Sequence, residues 1–78
     1  MTEKNLDNAT LKLYIWIMNG KELIKIFQKN GWVLNRITGS HHIMIKENER
    51  SVPIPVHASK DIPNGLVQKI LKAGKIKT

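Results

Sequence analysis

From Asn19 onward the apolar residues of this chain follow two different periods. Leu23, Ile24, Ile26 and Phe27 gather on one side of a 3.6-residue wheel and Lys21, Lys25, Gln28 and Lys29 take the rest, which predicts an amphipathic helix over residues 19–30. Asn19 followed three residues later by Glu22 is a reciprocal capping pattern, and Asn30-Gly31 is a stop signal. The period then shortens. Trp32 to Ile37 is rich in branched and aromatic residues and reads as a strand, Thr38-Gly39-Ser40 as a turn, and His41 to Lys46 as a second strand joined to the first in a tight antiparallel hairpin. Glu47-Asn48-Glu49 turns the chain into a third strand, Arg50 to His57, which belongs at a sheet edge because Pro53 and Pro55 lack amide donors. After Pro63, Leu66, Val67, Ile70 and Leu71 return to helical spacing, and this helix ends near Ala73-Gly74. The order is α-β-β-β-α. An α+β domain, with a three-stranded antiparallel sheet and two helices on one face, is the economical way to bury both helical stripes.

The preceding segment is different. Leu11, Leu13, Ile15 and Ile17 alternate with Lys12, Tyr14, Trp16 and Met18, a period of two that suits a strand, although so short a run also suits a helix. It is broken by Lys12, falls short of the roughly 20 residues a membrane span needs, and has no basic leader, so neither a span nor a cleaved signal is expected. The division is therefore an N-terminal extension, residues 1–17, and a folded domain, residues 18–78. The extension could be an accessory strand, a contact between copies or translated upstream sequence, and it carries no assigned chemistry.

Charge sharpens the picture. Lys4 and Lys12 offset Glu3 and Asp7, so the whole formal net charge of +7 falls on residues 18–78. A solubilising surface is the plain reading; a phosphate-rich or acidic partner is the informative one. The absence of cysteine removes disulfides, thiolate nucleophiles and cysteine zinc sites, and fits a cytoplasmic location. There is no glycine-rich nucleotide loop and no Gly-x-Ser-x-Gly elbow, and the acids are too scattered for paired-carboxylate chemistry.

What remains is imidazole. RNA cleaves itself when its 2′-hydroxyl loses a proton and attacks the neighbouring phosphorus, so a catalyst needs a base, an acid for the departing oxygen, and cations. Imidazole, with an unperturbed pKa of ~6.5, serves as either base or acid near neutrality. His41 and His42 are adjacent on a strand and must point to opposite faces. His41 shares its face with Ile43 and Ile45, His42 with Met44 and Lys46; the first set is the more apolar, which turns it inward and leaves His42 exposed. Gly39 supplies a close approach or a positive φ, and Ser40 a turn hydroxyl or a phosphate contact. His57 is a candidate complementary acid or phosphate contact, with a structural loop histidine as the alternative. Adjacent strand positions diverge, so the histidines do not suit a metal. Arg36, Lys46, Arg50 and Lys60 are candidates for RNA docking, with Lys69 and Lys72 on the last helix; Trp32 and Phe27 read as core residues rather than stacking platforms.

Lys21-Glu22-Leu23-Ile24, Asn30-Gly31-Trp32, Arg36, Gly39-Ser40-His41-His42, Ile54-Pro55-Val56-His57, Lys60, Gly65 and Ile70-Leu71 before Ala73-Gly74 together resemble the HicA toxins, over residues 18–77. These are small ribonucleases of prokaryotic toxin–antitoxin pairs. The resemblance implies a double-stranded-RNA-binding-domain-like fold and metal-independent, cofactor-free cleavage of mRNA. It also implies neutralisation by a HicB antitoxin and a catalytic histidine in the Gly-Ser-His segment. By the resemblance that group is His41, against the strand alternation, which selects His42. A non-catalytic RNA-binding module with the same basic face is the alternative function, and self-association or a heteromeric complex stays open.

Overall fold

A computed structural model of the chain describes residues 18–77; the expected accessory strand in residues 1–17 lies outside the described residues. Helix α1 spans Gly20–Lys29. Its start is fixed by a reciprocal pair of bonds: the Glu22 amide donates to Asn19 Oδ1 at 3.0 Å and the Asn19 amide donates to Glu22 Oε1 at 2.9 Å, satisfying two donors that the first turn would otherwise orphan. Leu23 and Phe27 are buried on one side, whereas Lys21, Lys25 and Lys29 are exposed. At the other end the chain turns through Gly31, whose φ of 90° lies in the left-handed region, and Trp32 re-enters the core with its amide donating to the Phe27 carbonyl. The two aromatic rings meet edge to face, centroids 5.2 Å apart.

Three strands follow, β1 (Val33–Thr38), β2 (His41–Ile45) and β3 (Val52–Pro55), paired antiparallel in the order β1-β2-β3, and helix α2 (Asn64–Ala73) closes the fold. The α-β-β-β-α order and three-stranded antiparallel sheet agree with the periodicity. The third strand is shorter than the expected 50–57 because β2, His41–Ile45, offers it partners only from Met44, opposite Val52, to His41, opposite Pro55; Val52, Ile54 and Val56 alternate with Pro53 and Pro55, and the Val56 amide donates to the Ser40 carbonyl at 2.7 Å. The prolines face the edge away from β2, which is thereby stripped of donors.

Met44, Val52 and Ile54 form the buried face of the sheet, against Leu23 and Phe27 of α1 and Val67, Ile70 and Leu71 of α2. Ile45 is exposed and lies on the other face. The core is closed at one end by Met18, whose carbonyl accepts from the Ile62 amide at 2.8 Å, beside a single bridge between Asn19 and Asp61.

Gly20 marks where α1 crosses β3. A Cβ there would overlap the Pro55 carbonyl oxygen and a methyl of Val56. Glycine-to-alanine in a helix ordinarily stabilises by up to about 1 kcal/mol; here overpacking dominates, and Gly20→Ala should destabilise by about 1–3 kcal/mol. Urea denaturation of the two proteins decides the sign, and a stabilised variant would show that the helix stands farther from the strand.

Candidate active site on the open face of the sheet

The β1–β2 hairpin turns on two residues, Gly39 and Ser40, with Thr38 and His41 as the last paired positions. Gly39 has φ 60° and Ser40 has no positive φ, which matches the hairpin turn that wants glycine first. Nothing lies within 4 Å of where a Gly39 Cβ would stand, so its backbone angle, not space, requires glycine. Ser40 is half-buried and its carbonyl holds Val56, which ties the hairpin to β3.

His41 is exposed, with Thr38 as its partner on one side and Pro55 on the other. His42 is half-buried, paired with Ile37 and Ile54, and shares its face with the fully buried Met44. The expected orientation of the doublet is therefore corrected: His42, not His41, turns toward the helices. Both alternating sets of β2 are apolar enough to be buried, and Met44 is the one that fits beneath α1 and α2, while Ile45 remains 38% exposed. His42 also leaves its Nδ1 buried with no hydrogen-bond partner.

The proposed RNA contacts separate into three groups. Arg36 is paired with Ile43, so it stands on the face of His41. His57 and Lys60 are exposed in the loop that leaves β3 just past Pro55, the partner of His41, and the Lys60 amide donates to the His57 carbonyl. These belong to the hairpin end. Lys46 and Arg50 lie at the other end of the sheet, about 16 Å away at ~3.3 Å per residue. Lys46 Nζ donates to the Asn30 carbonyl at 2.8 Å and so closes the C-terminus of α1. Lys69 and Lys72 are exposed on α2, in the helical layer rather than on the sheet. Sequence reasoning missed Thr38, directly opposite His41, and Asn35, whose Oδ1 accepts from the Arg36 guanidinium at 2.7 Å. Among the described residues no three His, Cys, Asp or Glu side chains come close enough to hold a metal ion.

The model of a protein family described as the HicA toxin of bacterial toxin–antitoxin systems matches residues 20–76. The chain belongs to the HicA toxin family. The match spans both helices, all three strands and the hairpin with its two histidines. No curated protein matches the chain. No described helix of this HicA-family chain is long and apolar enough to cross a membrane.

Two stability predictions follow from the hairpin of this HicA domain. Gly39→Ala should cost about 1–2 kcal/mol, because an L side chain at that φ is strained even in open space; an unchanged urea midpoint would contradict the turn. His42→Leu should leave stability unchanged or raise it by up to about 1 kcal/mol, since it removes a buried nitrogen without a partner; a loss above about 1 kcal/mol would show that the ring makes a bond that the fold needs.

Proposed function

We propose that this toxin is an endoribonuclease that cuts mRNA in the cytoplasm without a metal or other cofactor, with His41 as the general acid/base, and that a HicB-type antitoxin neutralises it. The observation that carries the reading is the placement of His41: exposed, on the sheet face away from both helices, at the mouth of a glycine turn. His42, the second candidate, faces the core.

The chemistry needs no group beyond the chain's own. One imidazole takes the 2′-hydroxyl proton, the 2′-oxygen forms a bond to phosphorus, and the bond from phosphorus to the 5′-oxygen breaks as that oxygen gains a proton. His57 is the candidate for the opposite proton transfer, being on the loop next to the hairpin. Arg36 and Lys60 supply positive charge at the same end, while Gly39 and Ser40 present backbone to the RNA. Lys46 and Arg50, at the far end, can hold only a more distant phosphate. Duplex or folded RNA is recognised by shape and phosphate contacts, so binding should be salt-sensitive.

The test uses purified protein, labelled mRNA and excess chelator. Cleavage should occur, and His41→Ala should lower it by about 10²–10⁴-fold while RNA binding persists; the same substitution should abolish growth arrest on expression. RNA that is bound and left intact by the wild-type protein would favour the non-catalytic RNA-binding module instead.

A further inference from the structure

One residue of β1 is out of step. Leu34 is opposite Met44 but Arg36 is opposite Ile43, so Asn35 is an extra residue, a β-bulge. An unbroken register would place Arg36 opposite His42, on the helix side, and Ile37 opposite His41, on the open side. The bulge exchanges them.

Burial of Ile37 does not account for that exchange. Ile37 is 56% exposed and Leu34 39% even on the helix side, because the two helices cover β2 and β3 and leave β1 uncovered. What the bulge accomplishes is to set Arg36 on the face of His41, diagonal to it across the β1–β2 pair. Diagonal positions stand about 7–8 Å apart, the span of a phosphate group held between two long side chains. The guanidinium is held there by Asn35, whose amide oxygen accepts from it at 2.7 Å. That partner is neutral, neither β1 nor β2 contains a carboxylate, and the ion pair among the described residues, Lys75 with Glu49, is elsewhere. Among the described residues the positive charge of Arg36 is thus oriented but not neutralised, and none of them takes its remaining N–H groups.

Resting on the ribonuclease reading above, we infer that Arg36 is a catalytic residue, the cation that stabilises the charge gathering on the non-bridging oxygens of the scissile phosphate beside His41. Asn35 is its positioning residue, and the bulge is the device that brings both to the open face. Arg36 moves no proton. The proton of the 2′-hydroxyl passes to a histidine and the departing 5′-oxygen receives one, as before, while the guanidinium donates two parallel hydrogen bonds that strengthen as the phosphorus acquires its fifth oxygen. A lysine offers charge without that planar fork.

The test separates binding from chemistry by measuring the RNA dissociation constant and the single-turnover cleavage rate at saturating protein. Arg36→Ala should lower the saturated rate by about 10²–10³-fold, the loss usual for one preorganised donor, and weaken binding only a few-fold. Arg36→Lys, which keeps the charge and the fold, should still lose at least about tenfold in rate. Asn35→Ala should lower the rate by about 3–10-fold, the worth of one hydrogen bond, with binding unchanged. Lys25→Ala, which removes one charge from the exposed side of α1, should alter neither quantity beyond about twofold. If Arg36→Ala and Arg36→Lys weaken binding but cleave at the wild-type rate once saturated, Arg36 is a docking cation and this inference fails while the ribonuclease reading stands. If the wild-type protein binds RNA and does not cut it, both fail together.

Discussion

The burial of Met44 beneath the two helices is the constraint on which the rest depends. It is fully buried, and Val52 and Ile54 on β3 share its face. Because side chains along a strand alternate, fixing Met44 inward fixes His42 inward and His41 outward, and a slip of one residue would reverse all of them. The orientation of the proposed acid/base group is therefore decided by packing several residues away. A domain this small has few core residues from which to draw stability, so the same residues that hold the fold together also aim its chemistry.

The elements that the sequence revealed are those with local physical causes. The capping pair of Asn19 and Glu22, the apolar stripes of both helices, the glycine turn and the two prolines of β3 each act over four residues or fewer, and each appears where expected. The face of β2 was misdirected because Lys46 makes His42-Met44-Lys46 the more polar of the two alternating sets, yet Lys46 lies just past the strand and answers to the end of α1 rather than to the sheet. Deciding between them requires knowing which side chain fits under two helices that are distant in sequence. The bulge at Asn35 was hidden for a related reason, since Trp32 to Ile37 reads as an uninterrupted strand until it is laid beside its partner.

The cations do not act as one surface. Lys46 closes a helix and Lys75 pairs with Glu49, while Arg36 stands on β1, where neither it nor β2 carries a carboxylate, and His57 and Lys60 lie on the loop after β3, ahead of Asp61. The proposed phosphate contact beside His41 rests on where these few cations stand rather than on the total of +7.

The most direct measurement is a titration of isotope-labelled protein with a short RNA blocked by 2′-O-methyl groups, following the two imidazoles of the doublet and the Arg36 guanidinium by NMR. The account predicts saturable shifts at His41 and Arg36, with His42 nearly unmoved. A response at His42 with His41 and Arg36 silent would contradict it, because it would place the RNA on the helix side of the sheet.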